Sequence, residues 1–270
     1  WPDNALRFGL LSRVAALLAS ADSPLAWRPR ILHCNDWQTA LAPAYLHYLP
    51  PADAAASVVT IHNLAFQGLF DHALLAALAL PAHAWRFDGV EYYGRLSFLK
   101  AGLQFADAIT TVSPTYAREI CTAESGMGLD GLLRHRADRL VGILNGIDST
   151  QWHPAHDPYL AAPYDVDRLA RKAENKAALR RELGLPALDM PLAGIVSRFT
   201  EQKGLDLVVA IADQLAALPL QLAVLGSGEA ALETAFGELA RRRPDRFAVR
   251  LGFDERLAHR IEAGADLFLM

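Results

Sequence analysis

The chain has 270 residues, room for one large domain or two modest ones. Its 52% apolar and 21% charged residues are ordinary for a globular protein, and a net charge of −4 argues against a nucleic-acid footprint. Two cysteines, Cys34 and Cys121, exclude a disulfide framework and fit a reducing, cytoplasmic setting; no apolar run reaches the roughly 18 residues of a membrane span, and no leader pattern is visible.

Short β-branched apolar runs alternate with longer amphipathic ones along the chain. Ile31 to Cys34 predicts a strand, then Asn35, Asp36 and Trp37, then a helix over Gln38 to Tyr48. A carboxylate and an indole at a strand's carboxyl end suit hydroxyls and the face of a sugar or base; the alternative is that Asp36 merely caps the next helix. Ser57 to Ile61 predicts a second strand, followed by His62 and Asn63. His62 there can hydrogen-bond a substrate hydroxyl or move a proton, or it is a satisfied structural histidine. Next come a helix over Phe98 to Ala106, a strand over Ala108 to Val112 and a helix over Pro114 to Cys121, with Ser113 placed to cap it and Pro114 in its first turn. Val141 to Leu144 reads as a strand, and Asn145-Gly146 as a turn, a hinge or a cleft-facing amide.

From Asp148 to Leu188 the alternation breaks. Pro154, Pro158 and Pro163 precede a charged helix over Asp165 to Leu183, which reads as a surface element. This marks the junction between a first domain over 1–150 and a second part over 151–270. The rhythm then resumes: strands over Leu192 to Val196, Gln221 to Leu225 and Phe247 to Leu251, helices over Gly204 to Ala217, Ala230 to Arg242 and Glu255 to Ala263. The fold class is α/β, with parallel sheets and right-handed crossovers, two units meeting across a cleft, and ligands outside the carboxyl ends of the strands. The first residue is Trp1, and Ala265 to Met270 reads as a buried strand with nothing after it; both predict an interior piece of a longer protein.

The second part holds the most chemical stretch, Ser197-Arg198-Phe199-Thr200-Glu201-Gln202-Lys203-Gly204. Arg198 and Lys203 flank a short loop that ends at a predicted helix N-terminus, a good pyrophosphate clamp. Two solvated surface cations are the alternative. Gly226-Ser227-Gly228-Glu229-Ala230-Ala231 fits the dinucleotide fingerprint, but it follows the second strand of its unit and sets Glu229 beside the phosphate position. Close approach of the backbone to some ligand is the better reading of Gly226 and Gly228. Phe253 could stack on a base or pack in the core. His153, His156 and Asp157 lack metal-site spacing, and no metal is expected. Arg241, Arg242, Arg243 and Arg246 read as solvation of a helix end, no G-x-S-x-G elbow occurs, and neither cysteine has an activating pattern.

Several of these segments together resemble bacterial glycogen synthases, to which plant starch synthases are closely related. They are Asn35-Asp36-Trp37-Gln38, Ile61-His62-Asn63-Leu64-Ala65-Phe66-Gln67-Gly68, Val112 to Ile120, Leu144-Asn145-Gly146-Ile147-Asp148 and Ser197 to Gly204. The resemblance runs over the whole chain. It implies the GT-B architecture of two Rossmann-like domains, both incomplete here, and retaining transfer of glucose from ADP-glucose to the non-reducing 4-hydroxyl of an α-1,4-glucan, with no cofactor and no metal. By motif, Arg198 and Lys203 would hold the donor diphosphate and His62 would contact the transferred glucose. Asp36 and Asn145 would line the sugar site, Trp37 would lie towards the acceptor, Gly226 and Gly228 would admit the nucleotide, and Phe253 would stack near adenine. The family's K-x-G-G-L and E-x-x-G loops are not among these residues, so the piece alone is expected to have little or no synthase activity. The competing readings are a related enzyme using UDP-glucose or another sugar nucleotide, a non-catalytic glucan-binding module, and a nicotinamide oxidoreductase resting on Gly226 to Ala231 alone.

Overall fold

A computed structural model describes residues 1–49 and 53–270. The chain separates into two compact units, Trp1–Gly146 and Ile147–Met270. Among the described residues no helix is long and apolar enough to cross a membrane.

The first unit opens with helix α1 (Asn4–Leu18), followed by β1 (Ile31–Asn35), α2 (Asp36–Thr39), α3 (Ala42–Tyr48) and β2 (Ala56–Ile61). A small antiparallel sheet follows, in which β3 (Leu69–Phe70) and β4 (Glu91–Tyr92) both pair with β5 (Arg95–Ser97). Then come α4 (Phe98–Phe105), β6 (Ala108–Thr111), α5 (Pro114–Glu119), α6 (Asp130–His135) and β7 (Leu140–Gly142). The main sheet is parallel in the order β1-β2-β6-β7. Val59, Ile61 and Ile109 of its central strands are buried in one core with residues of α3 and with Phe98 and Leu99 of α4. The predicted cap is present: Ser113 Oγ accepts from the N–H groups of Thr115 (3.1 Å) and Tyr116 (3.3 Å), ahead of Pro114. The predicted helix over Gln38 to Tyr48 is two helices, α2 and α3, with Pro43 near the start of the second, where its missing N–H costs no intrahelical bond.

The second unit comprises α7 (Lys172–Leu183), β8 (Leu192–Val196), α8 (Leu205–Ala210), α9 (Ala212–Ala217), β9 (Gln221–Gly226), α10 (Ala230–Arg242), β10 (Phe247–Leu251), α11 (Glu255–Gly264) and β11 (Leu267–Phe268). The sheet is parallel, in the order β10-β9-β8-β11. Three expectations need correction. The helix predicted over Gly204 to Ala217 breaks at Ile211 into α8 and α9, where the β-branched Val208, Val209 and Ile211 weaken helix propensity. The charged helix α7 is not merely a surface element: it packs on α11 and buries Asn175, Leu179, Arg180 and Leu183. Its buried polar groups are matched, Arg180 Nε to Gln221 Oε1 at 2.8 Å and the Asn175 amide to both backbone groups of Ala162 at 3.1 and 2.7 Å, so burial costs little. Finally, Asp266 to Met270 are exposed, not a buried strand, because β11 lies at the sheet's edge and pairs only with β8.

The segment before α7 is strapped onto the same unit. The His259 ring on α11 lies 2.6 Å from Asp157 and stacks on Trp152 at a 3.5 Å centroid distance, all within a buried contact. Asp157 is therefore tied to His259, a partner that the local spacing of His153 and His156 does not reveal.

Candidate functional site

In the first unit the predicted residues gather where β1 and β2 end. Asp36 has a left-handed backbone, φ +53°. This turns its carboxylate across to the neighbouring strand end, where Oδ1 accepts the backbone N–H of His62 at 2.7 Å. It does not cap the following helix. The His62 ring is held by a residue absent from the predicted set: its Nε2 lies 3.0 Å from Asn35 Oδ1. The Ile61 carbonyl, one residue earlier, accepts from Thr111 Oγ1 at 2.8 Å, and the Leu64 N–H is bonded to the Tyr116 hydroxyl at 3.1 Å. Beneath this corner His33 Nε2, Thr60 Oγ1 and Thr110 Oγ1 form a polar row across β1, β2 and β6, each step 2.6 Å. The signal for Asn35 was its neighbour: a side chain at the end of one parallel strand meets its counterpart at the end of the next.

Trp37 is partly buried, its indole set against Phe8, Phe70 and Phe98 at centroid distances of 4.9, 5.7 and 6.3 Å. Most of its face is thereby committed to packing. Asn145 is exposed in the segment after β7. A cavity of about 650 Å³ in this unit, lined by Phe87, Glu91, Tyr92, Tyr93, Lys100 and Leu132, shares no residue with the predicted set. At its wall Lys100 is buried, its ammonium donating to the carbonyls of Phe87 and Glu91, and burial pulls its pKa down against the pull of Glu91 and Asp88.

In the second unit the strand order reverses between β8 and β11, which makes the carboxyl end of β8 the topological switch point where ligands of such sheets bind. Arg198 and Lys203 stand on the loop that leaves this end. Both are exposed, and among the described residues neither has an acidic partner. They do not flank the N-terminus of a long helix: Lys203 ends a short turn, Glu201–Lys203, and α8 after it has six residues.

The clamp loop is held to the glycine loop by bonds that continue the β8–β9 pairing past the strands. Ser197 N–H donates to Leu225 O (3.1 Å), Phe199 N–H to Ser227 O (2.8 Å) and Glu229 N–H to Phe199 O (2.8 Å). Phe199 drops into the core against Phe236, 5.0 Å between centroids. The glycines serve this approach. A Cβ on Gly226 would lie 1.8 Å from Ser197 O, and one on Gly228 would lie 2.2 Å from Phe199 O. The close backbone neighbour inferred for Gly226 and Gly228 is thus the protein's own clamp loop, and the Gly228 N–H is already taken by Glu233 Oε1 at 2.8 Å. Phe253 is 90% exposed, which excludes core packing and leaves its ring available on the loop after β10.

Known proteins resemble this chain over its whole length. The model of the starch synthase catalytic domain matches residues 1–135. The glycogen synthase of Dechloromonas aromatica is 64% identical over all of this chain and 55% of its own length, and that of Aromatoleum aromaticum is 59% identical over the same shares. The catalytic domain of starch synthase IV from Arabidopsis thaliana, solved bound to ADP and acarbose, superposes with a TM-score of 0.88 at 35% identity, covering 99% of this chain and 56% of that one. The two parallel-sheet units are those of the GT-B class. The chain spans about half the length of the curated relatives it matches.

Proposed function

This chain belongs to the starch synthase catalytic-domain family, and on that premise we propose that it carries part of a retaining glucosyltransferase, a glycogen or starch synthase that moves glucose from ADP-glucose to the non-reducing 4-hydroxyl of an α-1,4-glucan. The observation that carries the reading is the pair of cations, Arg198 and Lys203, without acidic partners among the described residues, on a bonded loop at the switch point of the second sheet. Breaking the sugar–phosphate bond leaves negative charge on a nucleoside diphosphate. Fixed positive charge at that position lowers the barrier because it is oriented before the bond breaks. Arg198 offers a planar fork to two oxygens and Lys203 a mobile point charge. In this reading they supply the charge that a metal supplies elsewhere.

The anomeric carbon gains positive character in such a transition state, as in glycoside hydrolysis. His62 is assigned to the transferred glucose, its ring oriented by Asn35 and its backbone by Asp36, with its carbonyl available to the developing cation. Asp36 and Asn145 are assigned to sugar hydroxyls, Phe253 to the adenine face and Trp37 to the acceptor side. The ADP in the solved starch synthase supports the choice of nucleotide. We place the activity in the cytoplasm, where the free thiols of Cys34 and Cys121 stay reduced.

Calorimetric titration of ADP into the chain tests the reading, with UDP in parallel. Saturable ADP binding that weakens at least tenfold in Arg198→Ala is the expected result. No saturable binding, or binding indifferent to Arg198 and Lys203, overturns it, and a clear preference for UDP moves the donor to UDP-glucose.

A further inference from the structure

Glu229 sets a carboxylate near two cations that have no acidic partner among the described residues, which asks what else in the fold holds that carboxylate. Glu229 Oε1 accepts the N–H of Glu201 at 3.1 Å, and Glu201 opens the short turn that ends in Lys203. The residue in the capping position of that turn, Thr200, makes no cap with its own side chain. The cap is supplied from the neighbouring loop instead. The backbone of the same glutamate also donates its N–H to Phe199 O at 2.8 Å, at the residue directly after Arg198. Glu229 therefore grips the clamp loop twice, once beside each cation.

A three-residue 3₁₀ turn has poor hydrogen-bond geometry and little stability of its own, and the left-handed Gly204 that follows adds backbone freedom in the unbound state. No ion pair orients Lys203 or Arg198 among the described residues, so their spacing rests on the backbone that carries them. We propose that Glu229 is a positioning residue: by capping the Glu201–Lys203 turn from the adjacent loop, it fixes the separation of the Lys203 ammonium and the Arg198 guanidinium that a nucleoside diphosphate requires. This rests on the nucleotide reading of the site and adds the device that prepares it. It also gives the acidic residue in the glycine loop a structural task, as the acceptor for an N–H of the clamp loop.

The test uses Glu229→Ala and Glu229→Gln in the 270-residue chain, with two readouts: amide hydrogen exchange at Glu201 to Gly204, and the Kd for ADP. Glu229→Ala should speed exchange at Glu201 and weaken ADP binding, each by about fivefold, the usual cost of a lost cap. Glu229→Gln should stay near the parent in both, because the amide oxygen accepts the same bond. Unchanged Glu201 exchange in Glu229→Ala overturns the proposal whatever happens to ADP. So does a Gln variant as impaired as the Ala variant, since charge and not capping would then be the cause. If the exchange contrast is present but neither the parent nor a variant binds ADP, the nucleotide reading fails while the cap stands.

Discussion

The two units hold their candidate residues in opposite ways. In the first, side chains tie one strand end to the next: Asp36 and Asn35 bind the backbone and ring of His62, and Trp37 is set among aromatic rings. In the second, the cationic side chains have no acidic partner among the described residues, while the backbone beneath them is laced to the next loop, rung by rung. The lesson is about inference. A charge without an acidic partner on an ordered backbone is open to a ligand or to water, and only binding tells the two apart. A paired side chain already has a structural reason to be there, so its chemistry must be separated from its packing by experiment.

The largest expected effect probes the packed side. Trp37→Ala should cost about 3–5 kcal/mol in urea unfolding, the cost of emptying a large aromatic site packed against the core. A loss near zero would make the indole a platform for ligand and bring the two units closer in kind. Next comes the cationic side: in a form extended to the length of its relatives, Arg198→Ala should remove roughly 2–4 kcal/mol of transition-state stabilisation. A fall in kcat/KM below tenfold would mean that the guanidinium is only solvated. Gly226→Ala should destabilise the second unit by about 1–3 kcal/mol, because its new methyl meets Ser197 O and not a flexible side chain, and thermal melting reads this directly.

A smaller change, about 1 kcal/mol, is expected for Asn35→Ala, which removes the hydrogen-bond partner of His62 Nε2. The ring's NMR signals should then broaden or split while ADP binding in the second unit holds. The smallest effect concerns acid. Partial burial pushes the Asp266 carboxyl up, but hydrogen bonds from Lys176 and the Leu192 N–H, with the charges of Lys176 and Lys172, outweigh it, so its pKa lies below the usual value. A depressed carboxylate stabilises the fold above its unfolded value near 4 and loses that contribution as pH falls through the folded value. Melting temperatures at pH 7 and pH 3 should therefore differ less in Asp266→Asn than in the parent chain.

The strand–helix alternation was legible because each central strand is a compact apolar run, and the candidate residues were sought at the strand ends because ligands of parallel sheets lie there. Tertiary partnership was not legible. Arg180 and Asn175 look like surface residues of α7 until Gln221 and the Ala162 backbone are found opposite them, a long way off in sequence. Gly226 and Gly228 announce a close approach without saying what approaches, and the answer, Ser197 to Phe199, lies on another loop. Glu229 looked misplaced for the same reason. Its partner is a main-chain N–H, which carries no trace in the residue alphabet.

The positive φ at Asp36 restricts what this position can accept. Glycine enters that conformation freely, and asparagine and aspartate are the side-chain-bearing residues that tolerate it best. Of these three, glycine offers no oxygen to the His62 N–H, and asparagine offers one without charge. A saturation library at this codon, selected for a folded and working parent, should return aspartate first, asparagine as a weakened second and glycine as a folded but impaired third. Glutamate, the nearest relative by charge, should drop out.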